Sequence, residues 1–153
     1  MLSFKIVRAA EHDAIYQLME SAFTTYVQKL RNSATAGPYP WLKEAIANET
    51  VFVGIQKNEI VAAVTATRKD DLLSINQIAV RPERQGKGIG KWMLKEIETL
   101  ARNEGATRLT LHTGEIMLDL LRLYKHFGFR ETHKALPDHG EDAHLRVHME
   151  KLL

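Results

Sequence analysis

The stretch Ile78-Ala79-Val80-Arg81-Pro82-Glu83-Arg84-Gln85-Gly86-Lys87-Gly88-Ile89-Gly90-Lys91 decides how this chain is read. Its first residues are apolar and end a strand, because Pro82 has no N–H to continue a ladder. Three glycines then fall within five residues, directly before an amphipathic segment. Glycine costs backbone entropy, so three together need a reason. Close approach of an anion to the main chain supplies one. Free N–H groups at a helix start point at such a ligand, and side chains at Gly86, Gly88 and Gly90 would stand in its way. Lys87, Lys91, Arg81 and Arg84 add positive charge nearby.

Two other phosphate loops fit poorly. A P-loop needs four residues between its first glycine and Gly-Lys, then Ser or Thr; here Gly86 and Gly90-Lys91 stand too close, and Trp92 follows. A dinucleotide fingerprint needs G-x-G-x-x-G and an acidic residue about 20 positions on; the spacing differs, and Leu109 and its neighbours offer no carboxylate.

Outward from this turn the pattern is mixed α/β. Downstream, Ile89, Met93, Ile97, Leu100 and Ala101 form one helical stripe, stopped by Gly105. Arg108 to His112 reads as a strand, Glu115 to His126 as a helix closed by Gly128, and Phe129 to Leu136 as a strand. Pro137 to Glu141 reads as a loop. His144 to Leu152 alternates as a last strand, with His144, Arg146 and His148 on one face. Upstream, Phe4 to Arg8 is a strand, Glu11 to Leu30 a helix and Arg31 to Pro40 a loop, followed by a short helix over Trp41 to Asn48. Val51 to Gln56 and Glu59 to Thr67 form a hairpin at Lys57-Asn58. In Leu72 to Val80 the apolar phase switches from odd positions (Leu73, Ile75) to even ones (Ile78, Val80), which predicts a β-bulge near Asn76-Gln77. The helix after Val80 is expected to cross over to a parallel strand at Arg108 to His112.

Composition narrows the classes. The 153 residues suit one domain, and 44% hydrophobic content is enough for a core. The net charge of +2, from 21 basic and 19 acidic residues, argues against a dedicated nucleic-acid binder. There is no cysteine, so disulfides, Cys-ligated zinc and a cysteine nucleophile are excluded. No apolar run approaches a membrane span, and Met1 to Asp13 lacks the apolar core of a signal peptide. The expectation is a cytoplasmic protein without a membrane or nucleic-acid partner.

The motifs resemble those of the GNAT N-acetyltransferases. Gln85, Gly88 and Gly90 match that family's Q/R-x-x-G-x-G/A turn. Ile78-Ala79-Val80-Arg81-Pro82 is similar to its strand ending in V-x-P, and Leu123-Tyr124-Lys125-His126-Phe127-Gly128-Phe129 to its L-Y-x-x-x-G-F segment. The resemblance implies a single domain over 1–153, with a central mixed sheet, a bulged and splayed strand pair, and flanking helices. It implies acetyl-CoA as cosubstrate and no metal. The backbone of Ile78 and Val80 would pair with the pantetheine arm, and the amides of Gln85, Gly86, Lys87, Gly88, Ile89, Gly90 and Lys91 would hold the pyrophosphate. Tyr124 would act as the acid at the thiolate. One departure stands out: where relatives carry Asn and Ala before the tyrosine, this chain has Met117 and Leu120, which puts the Asn contact with the cofactor arm in doubt.

The implied reaction is direct acetyl transfer to a primary amine of a small molecule, a peptide N-terminus or a lysine. A non-catalytic acyl-CoA-binding or sensor module on the same fold is the alternative. The base is not assigned by sequence: His112 and Glu115 are candidates, as is a water chain. His133, His139, His144 and His148 read as a solvated sheet face rather than a metal site, given no cysteine and no compact ligand motif. Tyr26, Arg31, Tyr39 and Trp41 flank the early loop that would wall the acceptor site. A homodimer is compatible with the alternating strand His144 to Leu152, which could pair with a second copy.

Overall fold

The computed structural model describes residues 1–31, 39–138 and 142–153. The sequence loops at Arg31 to Pro40 and Pro137 to Glu141 therefore lie mostly outside the described residues, with Gly37-Pro38 and His139. The elements follow the expected order: β1 Leu2–Ile6, α1 His12–Arg31, α2 Leu42–Ala47, β2 Val51–Gln56, β3 Glu59–Lys69, β4 Leu72–Val80, α3 Ile89–Asn103, β5 Arg108–Gly114, α4 Leu118–His126, β6 Arg130–Ala135 and β7 Arg146–Leu152. No helix among the described residues is long and apolar enough to cross a membrane.

One seven-stranded sheet runs β1-β2-β3-β4-β5-β7-β6. All neighbours are antiparallel except β4 and β5, which the α3 crossover makes parallel. The β2–β3 hairpin turns at Lys57 and Asn58, both with positive φ (52° and 62°), as a two-residue loop matching strand twist requires. The bulge is where the phase switch puts it: Thr65 pairs with Gln77 and Ala66 with Ile75, leaving Asn76 as the extra residue. From that point the two parallel strands part. They pair only at Leu72–Arg108, Leu73–Leu109 and Ser74–Thr110, although each runs on for several more residues.

Two cores lie on opposite faces. Met93, Ile97, Leu109, Leu111, Tyr124 and Phe129 pack where α3 and α4 cover the sheet. Ile15, Met19, Leu42, Val53, Ala63 and Ala79 pack under α1 and α2. The second core reaches no further than β4. On that face β5, β7 and β6 instead present Thr110, His112, His148 and His133 to an open trough.

Three expectations are corrected. First, β7 is not available to a second copy, because it lies between β5 and β6 with both edges paired. The outer strand there is β6, whose exposed Arg130, Glu131 and Lys134 discourage edge pairing. Second, α4 begins at Leu118 rather than Glu115, since the Glu115 amide donates to the Leu145 carbonyl (2.9 Å) and so joins the β7 approach. Third, the last strand begins at Arg146 rather than His144. Arg146 is buried (5% exposed) in a two-pronged ion pair with Asp142 at 2.9 and 3.0 Å.

Candidate active site

The glycine turn joins β4 to α3. A single 3-10 turn over Pro82–Arg84 follows the strand, and Gly88 then caps α3 in the left-handed region. Gly86 and Gly88 have φ of 77° and 81°, and a Cβ on either would meet no protein atom within 4 Å. Glycine is thus required by conformation, and the space beside it stays open to a ligand. Gly90 differs: its Cβ would make an ordinary 3.8 Å contact with Val80 Cγ2, so a small side chain fits there.

No side chain caps α3. The first intrahelical bond runs from the Trp92 amide to the Gly88 carbonyl (3.0 Å). The amides of Gly88, Ile89, Gly90 and Lys91 are therefore the first-turn donors that a helix leaves unused. Gln85 has another task. Its Nε2 donates to the Val80 carbonyl (3.1 Å) and its amide to the Pro82 carbonyl (3.3 Å), which braces the turn from within. Arg81 and Arg84 are also occupied. Arg81 donates twice to the Ile60 carbonyl, Arg84 donates to Gln56 Oε1 (2.7 Å), and both pair with Glu59. They fasten the turn to the β2–β3 hairpin. Lys87 and Lys91 are exposed and stand as the cations nearest the open amides.

From this turn the open edge of β4 leads back through Val80 and Ile78 to the bulge. The facing edge of β5 carries Leu111 to Gly114, so the gap between them is a slot that accepts an extended arm. Tyr124, on α4, is buried in the core on the α3/α4 face, with Tyr26 close enough to act on its phenol. The L-Y-x-x-x-G-F spacing has a local cause here. Gly128 (φ 107°) ends α4, with its amide on the Lys125 carbonyl (3.1 Å), and the Phe129 amide returns to the Tyr124 carbonyl (3.0 Å). Phe129 packs edge-on against the Tyr124 ring at 6.1 Å. This is a Schellman ending with its hydrophobic contact, and Tyr124 is the residue it locks. Tyr124 is 5% exposed, and burial, helped by the charge of nearby Tyr26, pushes its phenol well above the usual range.

Tyr26, one of the residues expected beside the early loop, makes a contact that the sequence did not disclose. It reaches from α1 to the end of β5, where its hydroxyl accepts the Gly114 amide (3.0 Å) and meets Thr113 Oγ1 (3.3 Å). Helical spacing marks it as part of a buried stripe, and the resemblance sets it beside the acceptor wall, but neither shows its partner on β5. Arg146 was hidden in the same way, by a strand alternation that gave no hint of its carboxylate partner.

On the α1/α2 face, two clefts meet at the bulge. One, of about 370 Å³, is lined by Ser74, Asn76, Thr110, His112, His148 and Glu150 among others. The other, of about 330 Å³, includes Trp41, Glu44, Asn48, Thr65, Asn76 and Gln77. Asn76 is common to both and donates to Thr67 Oγ1 (3.1 Å). Trp41 thus borders a cleft, whereas Tyr39 is buried against Tyr16, Phe23 and Trp41 and pins the segment. Of the two sequence candidates for a base, His112 lines the trough beside Asn76, and Glu115 lies past the strand.

The chain is similar to known acetyltransferases in sequence and in fold. Human N-acetyltransferase 8B is 27% identical over 126 residues, covering 78% of this chain and 55% of its own length, so the chain spans about half of that protein. The putative ribosomal protein bS18-alanine N-acetyltransferase of Bacillus subtilis (strain 168) is 25% identical over 148 residues, with 90% and 88% covered. The structure of the PaiA N-acetyltransferase of Thermoplasma acidophilum in complex with coenzyme A superposes with a TM-score of 0.76 at 14% identity, covering 100% of this chain and 99% of that one. The sequence pattern of the acetyltransferase (GNAT) family matches residues 12–129, a span that takes in the bulge, the glycine turn and the Tyr124 segment. With that match over most of the sequence, and with the splayed strand pair in place, the chain belongs to the GNAT acetyltransferase family.

Proposed function

We propose that this chain is an acetyl-CoA-dependent N-acetyltransferase that moves the acetyl group directly from the thioester to a primary amine. The observation that carries the reading is the slot between β4 and β5: the glycine turn lies at one end, and the two clefts of the opposite face meet at the other. A cofactor and an acceptor entering from opposite faces would meet at the bulge. In this reading the Gly86 to Lys91 turn binds the pyrophosphate, chiefly through the amides of Gly88, Ile89, Gly90 and Lys91. The β4 backbone at Ile78 and Val80 pairs with the pantetheine arm. The Met117 side chain makes no cap on α4 and offers no polar group to that arm, unlike an asparagine. When bound, acetyl-CoA supplies an activated acyl carbon.

His112 takes the amine proton and Tyr124 meets the departing sulfur. Tyr124 holds its proton more tightly than a thiol of pKa about 8.5 does. It therefore stabilises the thiolate by donating a hydrogen bond, and the sulfur gains its proton from solvent. Acceptor classes are a small amine, a peptide N-terminus or a lysine; the name of the B. subtilis relative favours trying the peptide N-terminus early. The reading includes a cytoplasmic setting, which the cysteine-free composition fits, and any homodimer would form away from β7.

Calorimetry with acetyl-CoA, using ATP and NAD as controls, tests the cofactor. Turnover of a peptide with a free α-amine, a blocked peptide with an internal lysine, and spermidine tests the reaction. Because the chain has no cysteine, a thiol reagent reads only the CoA released. Selective one-site binding with CoA release on any of these amines is expected. Binding without turnover of any amine favours the acyl-CoA-sensing alternative, and no acyl-CoA binding overturns the reading. Gly88→Val is expected to remove binding, since its side chain would be strained at φ 81° and would fill the ligand space.

A further inference from the structure

The cleft beside α2, of about 330 Å³, differs in charge from its neighbour across Asn76. Among the described residues its one ionisable side chain is Glu44, which is exposed and has neither an ion pair nor a side-chain hydrogen bond with them. The carboxylate of the other cleft, Glu150, is engaged by Arg108 (3.2 Å) and Arg130 (3.9 Å). Trp41 stands three residues before Glu44, the spacing that sets two side chains on one helix face, and lines the same cleft. Tyr39 meets the Trp41 ring at 5.9 Å and 65°, which holds the indole in place.

The wall between this pair and the bulge has spent donors. The Thr50 hydroxyl donates to the Ala45 carbonyl (3.0 Å), the Thr65 hydroxyl to Gln77 Oε1, and Asn76 Nδ2 to Thr67 Oγ1 (3.1 Å). Thr50 Oγ1 and Asn76 Oδ1 are left as acceptors. An ammonium has donors and no acceptor. It therefore fits what the cleft offers, which is an unpaired carboxylate, an indole and lone pairs.

We propose that this cleft is a subsite for a second positive charge on the acceptor. The reacting amine sits at Asn76, where the two clefts meet, and a further ammonium or guanidinium of the same molecule lies between Trp41 and Glu44. The acceptor class is thus an aliphatic diamine, or a peptide whose free α-amine is followed by a basic side chain. This rests on the acetyltransferase reading and names the substrate class within it. The two nitrogens have different fates. An alkylammonium of pKa about 10.4 is charged at neutral pH. The nitrogen at Asn76 gives up its proton before it bonds to the acyl carbon, whereas the far one stays a cation and takes no part in bond making. Glu44 and Trp41 decide which amine is held, and they leave the chemistry of transfer to the slot.

Two matched pairs of acceptors, each differing by one charge, test this: diaminobutane against butylamine, and an Ala-Lys peptide against the same peptide with norleucine for lysine. At low salt and saturating acetyl-CoA, kcat/KM is expected to favour the dicationic member of one pair by about 3- to 10-fold, and the pair that shows it separates diamine from peptide. The preference should shrink as salt is raised. It should fall toward one in Glu44→Gln and return in part in Glu44→Asp. A merely structural role for Glu44 would lower both members of a pair together and leave their ratio alone. A second readout needs no turnover. The chain has two tryptophans, so NMR gives two indole N–H signals, and Trp41→Phe tells which is which. With CoA in place of acetyl-CoA, the dicationic probe should shift the Trp41 signal more than its partner does, and Glu44→Gln should lose the difference. Equal kcat/KM within both pairs, or a preference kept whole in Glu44→Gln, overturns the proposal. A chain that acetylates none of these amines counts against the preceding section instead, and the Trp41 signal then decides the subsite by itself.

Discussion

A phenol buried as deeply as Tyr124 holds its proton across the whole working pH range, because the anion would sit in an apolar core. That suits a fixed hydrogen-bond donor more than a proton shuttle. Tyr124→Phe keeps the ring and its edge-on contact with Phe129 and removes only the donor. It is expected to lower kcat by about 10²-fold or more while acetyl-CoA affinity by calorimetry stays nearly unchanged. Unchanged kcat would take Tyr124 out of the mechanism. The local packing of Tyr124 was legible in the sequence because one short segment holds both the tyrosine and the glycine that ends its helix. The sequence did not disclose that the rings of His112, His148 and His133 lie side by side across β5, β7 and β6. Positions 112, 133 and 148 are brought together by two strand registers, and no local spacing records which strands become neighbours. Tyr26 and the Arg146–Asp142 pair were hidden for the same reason: each depends on what a distant or looping segment places opposite.

Elements were more legible than residues. The hairpin at Lys57-Asn58, the bulge at Asn76 and the crossover from β4 to β5 all follow from period, turn chemistry and chirality, which act over a few residues. The α4 start was misplaced because the Glu115 amide answers to Leu145 rather than to its own helix. Helix endings give a paired test of how an element serves the site. Gly105 and Gly128 both end helices at positive φ, 82° and 107°. A Cβ at Gly105 would lie 3.7 Å from Arg68 Nη2, an ordinary contact, whereas one at Gly128 would lie 3.1 Å from Lys151 Cε. Gly105→Ala is expected to cost about 1 kcal/mol in urea denaturation and leave kcat unchanged. Gly128→Ala is expected to cost more and also to lower kcat, because it loosens the ending that holds Tyr124. Equal kcat in the two variants would show that the α4 ending does not set the Tyr124 position.

At the scale of the whole molecule, the slot exists because two halves of one sheet meet along only three residue pairs. An arm that hydrogen-bonds into the slot ties the halves together, so ligand binding and global stability are linked. Acetyl-CoA at about 100 times its Kd is expected to raise unfolding stability by about 2.7 kcal/mol, seen as a Tm rise of roughly 5–10 °C, with ATP giving no such rise. A flat Tm with saturating acetyl-CoA would contradict selective binding to the folded chain. The position of β7 has a consequence for how the molecule comes into being. A chain emerging from the ribosome delivers β5 and then β6, yet these two never touch; the strand that belongs between them is made afterwards. Until it arrives, β5 has no partner on that side, β6 has none at all, and the half-sheet waits as an unfinished seam. The trough lined by Thr110, His112, His133 and His148 is therefore completed last, because β7 forms part of its wall, whereas the cleft beside Trp41 is built from elements made earlier.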